Sequence, residues 1–192
     1  MKLIFATNNV HKIEEIRAVL PSSISIITLK EAGINVEIPE PYDTLKENAA
    51  QKAHTIYSLT NTNCFSEDTG LEVAALNGEP GVRSARYAGE DKQFANNITK
   101  LLINLQPHTD RSAQFKTVIC LLLNGKEYYF EGICRGHITT TPQGSGGFGY
   151  DAVFVPDGAT KTFAEMTLNE KNQYSHRRIA TAGLVTFLKQ LV

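Results

Sequence analysis

The sequence predicts an α/β protein, a mixed β-sheet with helices packed on it. Three observations predict this class. Strand-length apolar runs alternate with helix-period segments through the first half of the chain. Asn124-Gly125 separates two apolar runs, the strongest short hairpin signal, and places antiparallel strands in the middle. Gly144, Gly146, Gly147 and Gly149 then lead straight into the apolar run Ala152 to Val155, a junction of the kind where a sheet places ligand groups.

Each element follows from its residues. Leu3-Ile4-Phe5-Ala6 reads as a short buried strand. An amphipathic helix follows from about His11 to Leu20, with Ile13, Ile16, Val19 and Leu20 on one face, and Pro21 stops it. Ser25 to Leu29 is a second strand, and the acidic, proline-broken stretch Glu37 to Pro41 reads as a loop. Thr44 and Glu47 fit the S/T-x-x-E capping box of a helix from about Thr44 to Leu59. Cys64-Phe65-Ser66 begins a strand expected to end in Glu67-Asp68-Thr69-Gly70. A Gly/Pro-punctuated loop over 77–90 precedes a third helix marked by Phe94, Ile98, Leu101, Leu102 and Leu105. Phe115 to Leu123 and Tyr128 to Ile138 form the hairpin, and a last helix carries Ile179, Leu184, Phe187, Leu188 and Leu191.

At 192 residues the chain is expected to form one domain, residues 1–192, and 42% hydrophobic residues suffice for a sizeable core. A net charge of -1 argues against a nucleic-acid or membrane-surface binder, which would carry a basic excess. Cys64, Cys120 and Cys134 form no C-x-x-C pair, which suits a reduced, cytoplasmic protein. Neither a signal peptide nor a bilayer-length apolar run is expected.

Five groups of residues suggest chemistry. Thr7-x-Asn9-x-x-Lys12 lies between a strand and a helix N-terminus, where backbone N–H groups and the dipole suit phosphate; the same residues also read as a capped turn with a solvated lysine. The pattern lacks the glycines of a P-loop. Glu47 and Asn48 form the second group, with Lys52 one turn beyond Asn48, and Glu47 also reads as the far half of its capping box. Glu67 and Asp68 form the third. Alternation sends them to opposite faces of their strand, so one carboxylate faces a site suited to Mg²⁺ or an attacking water, and a turn-forming Asp-Thr-Gly is the plain alternative. Lys171 with Ser175-His176-Arg177-Arg178 is the fourth. Cations at a helix N-terminus oppose its dipole, so an anion or a base edge would explain them, and a solvated basic turn is the plain alternative. Last, the glycine-rich loop holds out Phe148, Tyr150 and Asp151: an aromatic face, a phenol and a carboxylate. Two groups thus suit phosphates, two suit Mg²⁺ and one suits a base.

Taken in order from residue 7 to residue 177, these motifs resemble the ITPase (HAM1/RdgB-like) family of purine nucleoside triphosphate pyrophosphatases. The residues that carry the resemblance are Thr7-Asn8-Asn9-Val10-His11-Lys12, Glu47-Asn48-Ala49, Glu67-Asp68-Thr69-Gly70-Leu71, Pro80-Gly81, Ser84-Ala85-Arg86-Tyr87, Gly144-x-Gly146-Gly147-Phe148-Gly149-Tyr150-Asp151 and Ser175-His176-Arg177. The resemblance implies a long, bent mixed sheet with helices in two lobes around a central active-site cleft, and a homodimer. It implies Mg²⁺-dependent hydrolysis of ITP, dITP and XTP to the monophosphate and pyrophosphate. Carried over by residue, Thr7, Asn8, Asn9, Val10, His11 and Lys12 would hold the triphosphate, with Lys171 nearby. Asp68 would be the general base and a Mg²⁺ ligand, with Glu47 the second metal carboxylate and Lys12 a catalytic cation. Thr69 would contact substrate, Phe148, Gly149, Tyr150 and Asp151 would line the nucleoside pocket, and His176 and Arg177 would meet the base edge. Many relatives carry Asp where Glu67 stands and an aromatic residue where Arg83 stands.

Base choice would follow from hydrogen-bond polarity: an Arg177 N–H facing that edge would donate to the six-carbonyl of hypoxanthine or xanthine and oppose the amino group of adenine. A Maf-like pyrophosphatase acting on pyrimidine or modified triphosphates is the enzymatic alternative, against which the Ser-His-Arg triplet speaks. A non-catalytic nucleotide-binding module is the other, and it would need no base beside a metal site.

Overall fold

The computed structural model describes residues 2–91 and 93–191. Strand β1 (Lys2–Phe5) pairs in parallel with β2 (Ser25–Thr28) and with β3 (Cys64–Val73). Parallel neighbours need a crossover, and two helices supply it: α1 (Val10–Arg17) between β1 and β2, and α2 (Leu45–Thr60) between β2 and β3. The short strand β4 (Pro80–Gly81) pairs antiparallel with β3, and α3 (Phe94–Asn104) follows. Strands β5 (Ser112–Leu123) and β6 (Lys126–Ile138) form the hairpin, with Asn124 at φ 51 and Gly125 at φ 77, the paired left-handed residues of a tight primed turn. Strand β7 (Phe154–Pro156) pairs antiparallel with β6, and α4 (Leu168–Lys171) and α5 (His176–Lys189) complete the chain. Among the described residues the sheet order is β2-β1-β3-β5-β6-β7, with β4 on β3. It is mixed, as expected.

Two compact units divide the chain. The first holds residues up to Asp68, Thr117–Gly132 and the residues from Arg177 onward; the second holds Thr69–Lys116 and Ile133–His176. In the first unit, β1 is covered on both faces, which is why Leu3, Ile4 and Phe5 are apolar without alternation. Leu3 and Phe5 pack with Ile13 and Ile16 of α1 and with Leu184 and Leu188 of α5, and Phe5 stacks on Phe65 at 4.5 Å. Ile4 and Ala6 pack the other way, against Ala49, Ala53 and Ile56 of α2. In the second unit Leu71, Val73, Leu101, Leu105, Phe115, Phe154 and Phe163 form the core. None of the helices among the described residues is long and apolar enough to cross a membrane.

Several expectations are corrected in detail. Helix α1 ends at Arg17, short of Leu20. Strand β3 does not end at Gly70, because Leu71 and Val73 continue its buried alternation. Glu67 and Asp68 therefore lie mid-strand in the interior of the sheet. The loop over 77–90 holds β4 and a single 3-10 turn at Ser84–Arg86, and α4 is an additional short helix.

Candidate active site

Two groups of charged residues are built into the first unit. Helix α1 opens on Asn9, whose side-chain oxygen accepts the amides of His11 at 3.0 Å and Lys12 at 3.3 Å, while Thr7 Oγ1 accepts the amide of Asn9 at 3.2 Å. The Thr7-to-Lys12 turn is thus a well-made cap, with Asn8 and Val10 exposed and His11 half-buried. Lys12 reaches from it to Glu67, Nζ to Oε1 at 3.1 Å. Arg177, in the first turn of α5, donates through Nε to both oxygens of Glu67, at 3.0 and 2.8 Å, and through Nη1 to Glu15. Two cations and two carboxylates alternate along this chain, so their charges cancel in the interior. Burial works to raise the Glu67 carboxyl, but Arg177 and Lys12 outweigh it and hold the group down at about 2.

This network accounts for Arg177 among the cations at the start of α5. Its anion is internal: Glu67 and Glu15, the latter one turn beyond Lys12 on α1 and not singled out from the sequence. Its signal was its position beside Ile16 on the inward stripe of α1.

Asp68 faces its own cation. Lys52 Nζ donates to Asp68 Oδ1 at 3.1 Å and to Glu40 Oε1 at 2.5 Å. Helix α2 presents Lys52 because Leu45, Asn48, Ala49, Lys52, Ala53 and Ile56 share its buried stripe. Asn48 fixes the incoming loop, since its carboxamide accepts the amide of Tyr42 at 3.0 Å and donates to the Tyr42 carbonyl at 2.9 Å. Burial pushes the Asp68 carboxyl up, opposed by Lys52 and Lys12 and reinforced by Glu40. Burial would lower Lys52, yet Asp68 and Glu40 hold it above the ordinary lysine value.

Glu47 stays at the start of α2. Its amide donates to the Thr44 hydroxyl at 3.2 Å, its carboxylate accepts that hydroxyl at 2.6 Å, and the side chain is exposed. The carboxylate that shares an ammonium with Asp68 is Glu40, from the stretch read only as a loop. Its signal was a lone acid between Pro39 and Pro41.

In the second unit the glycine-rich loop is anchored rather than loose. Gly146 donates its amide to the Ala164 carbonyl at 3.0 Å. Tyr150 is not held out from the bend. It is buried, donates its hydroxyl to the Ser84 carbonyl at 2.8 Å, and burial raises the phenol above its ordinary value. Asp151 is also buried, bonded to Lys171. Phe148 and Gly149 are half-buried, as is Thr69. The Lys171 ammonium lies 5.2 Å from the Phe148 ring centroid and 5.1 Å from that of Phe163. His176 stacks on Phe115 at 4.7 Å with planes 15° apart.

Buried, paired acids and bases around a carboxylate of raised pKa are what general-base chemistry requires. Residues 3–187 match the sequence pattern of the Ham1 family. The chain belongs to the Ham1 family. A relative from Flavobacterium johnsoniae named dITP/XTP pyrophosphatase is 51% identical over 188 residues, covering 98% of each chain. A Porphyromonas gingivalis relative of the same name is 50% identical over 189 residues, covering 97% of each. Among solved structures, the Staphylococcus aureus Ham1 protein superimposes with a TM-score of 0.90 at 38% identity, covering 100% of both chains. A HAM1 protein from Coxiella burnetii gives 0.90 at 36% identity, covering 99% of each. The mixed sheet flanked by helices is thus the Ham1 fold.

Proposed function

We propose that this protein hydrolyses ITP, dITP and XTP to the nucleoside monophosphate and pyrophosphate, removing deaminated purines from the nucleotide pool. The observation that carries the reading is Asp68: a buried carboxylate of raised pKa, beside an ammonium shared with Glu40, in a Ham1-family chain. Relatives matched over 98% and 97% of the chain are named dITP/XTP pyrophosphatase.

The donor set fits Mg²⁺. Among the described residues no three His, Cys, Asp or Glu side chains gather as a metal cluster. Mg²⁺ typically binds through one or two carboxylates together with substrate phosphates, and Asp68 and Glu40 supply hard oxygens of that kind. Glu40 takes the place that Glu47 was expected to fill. Bound there, the ion would neutralise phosphate charge.

Asp68 orients and deprotonates the water that attacks the α-phosphorus. Burial keeps its carboxyl basic enough to accept a proton, and Lys52 fixes its direction. Lys12, steadied by Glu67, presents its ammonium to the triphosphate from the helix N-terminus. The Pα–O bond to the β-phosphate breaks as the water oxygen bonds to Pα, pyrophosphate departs, and Asp68 releases the proton it took from the water to solvent. Phosphoryl transfer asks for positioning and electrostatics more than covalent help. His176 and Arg177 are assigned to the base edge; because Glu67 and Glu15 hold Arg177 through Nε and Nη1, a donor to a six-carbonyl, which would oppose adenine's amino group, comes from the remainder of its guanidinium. Phe148 and Lys171 are assigned to nucleotide binding. A cytoplasmic homodimer goes with this reading.

The test is a Mg²⁺-dependent hydrolysis panel of ITP, XTP, GTP, ATP, dTTP and UTP that separates pyrophosphate from inorganic phosphate. Pyrophosphate from ITP and XTP, with GTP and ATP far slower, is the expected result. Inorganic phosphate as first product overturns the bond assignment. Pyrimidine preference points to a Maf-like activity, and binding without turnover to a regulatory module.

A further inference from the structure

Asp151 closes the glycine-rich loop, yet it is only 3% exposed. Its Oδ2 accepts the Phe148 amide at 2.9 Å and the Lys171 ammonium at 2.6 Å. Lys171 in turn lies over the ring of that same Phe148. Carboxylate to amide, carboxylate to ammonium and ammonium to aromatic face close a ring of three residues. Gly147 makes room for it. A Cβ there would sit 2.1 Å from Asp151 Oδ2, and its φ of +69 is one that L side chains rarely adopt.

We infer that Asp151 is a positioning residue, which fixes the Lys171 ammonium and the Phe148 ring as one body through a single oxygen. A lysine ammonium on its flexible stem loses rotamer freedom when a ligand captures it. Asp151 removes that freedom beforehand, the general route by which preordering improves binding. The same oxygen pins the loop backbone at Phe148, so the aromatic face and the charge keep a constant spacing. Gly147 is then part of the device, because any side chain there evicts the carboxylate from both partners. The inference rests on the assignment of Lys171 and Phe148 to nucleotide binding, and it moves Asp151 from touching the ligand to acting through them.

Two variants test it from different sides. Asp151→Asn keeps an oxygen for the Phe148 amide but loses the charge that holds Lys171. Gly147→Ala leaves Asp151 chemically intact and displaces it. Groups that bind ground state and transition state alike act on KM, so each variant should raise KM for ITP by about tenfold with kcat changed less than about threefold. A merely structural role would instead lower Tm and the active fraction, reducing apparent kcat at constant KM. The double variant Asp151→Asn/Lys171→Met should be no worse than Lys171→Met alone, because both changes remove one function. Unchanged KM in Asp151→Asn, or losses that add in the double variant, would overturn the inference while wild-type turnover of ITP stands. A wild-type protein that leaves ITP intact would overturn the functional reading and this inference with it.

Discussion

Arg177 and Glu67 form an ion pair in which Nε donates to both carboxylate oxygens, and the arginine is only 2% exposed. Nη1 is committed to Glu15 as well. Truncation of such an arginine takes the guanidinium away from two buried carboxylates, of which Glu67 keeps its contact with Lys12. Arg177→Met should therefore cost about 3–5 kcal/mol of stability, the usual penalty for breaking a buried pair from one side. Chemical denaturation measures it. Arg177→Lys should recover only part, since a point charge does not span both acids. A loss below about 1 kcal/mol in Arg177→Met would mean that the pair is solvated rather than buried.

Asp68→Asn tests the base. The variant keeps the shape of the side chain and sheds a buried charge that burial opposes. Turnover of ITP should fall by about 10² to 10⁴, the range for loss of a positioned general base. Circular dichroism and Tm should report an intact fold. Near-normal turnover would remove Asp68 from the role.

Glu40 and Glu47 separate the metal site from the helix cap. Glu40→Gln should raise the Mg²⁺ concentration needed for half-maximal rate by about tenfold or more, by analogy with altered metal sites. Glu47→Gln should leave that concentration unchanged and cost at most about 1 kcal/mol through the Thr44 cap. Magnesium titrations of both variants decide the matter. The reverse order would return the second carboxylate to Glu47.

Acid sensitivity has a readable source at the surface. Glu31 accepts two bonds from Arg17 Nη2, each 2.8 Å, and the Thr28 amide at 2.8 Å. Arg17 first, and Thr28 next, lower its pKa from 4.5 to about 2. A depressed carboxylate contributes stability that is complete above 4.5 and is lost as pH falls from there toward 2. Glu31→Gln should lower the urea midpoint near neutrality, where the contribution is complete, and converge on the wild-type value as pH falls toward 2, so that the profile flattens across that window. An unchanged slope would show that other carboxylates set the acid limb.

Much of the fold was legible because local and global signals agree. The hairpin was written in Asn124-Gly125, and α2 in Thr44 and its buried stripe. Strand β3 was read too short because Glu67-Asp68-Thr69-Gly70 looks like a turn. Only the neighbours of the strand make two mid-sheet acids tolerable, and those partners come from α1, α2 and α5. Glu40 was missed for the same reason: a lone loop acid acquires meaning only when Lys52 arrives from elsewhere in the chain. Tyr150 and Asp151 looked presented because adjacent glycines suggest exposure, whereas Ser84 and Lys171 draw them inward. Helix α4 was readable in principle, since Thr167 and Glu170 form a complete capping box.

The clasp between Asn48 and Tyr42 has an evolutionary consequence. Because the paired bonds seat Tyr42 directly on α2, Glu40 is delivered from its C-terminal side, only two residues away. The route that the backbone takes from β2 then matters little to where that carboxylate arrives. Lengthening a surface loop costs free energy only logarithmically. Insertions at the exposed Gly33, ahead of the packed Ile34, Val36 and Ile38, should thus be tolerated among descendants of this sequence, while a single-residue deletion between Glu40 and Tyr42 should not.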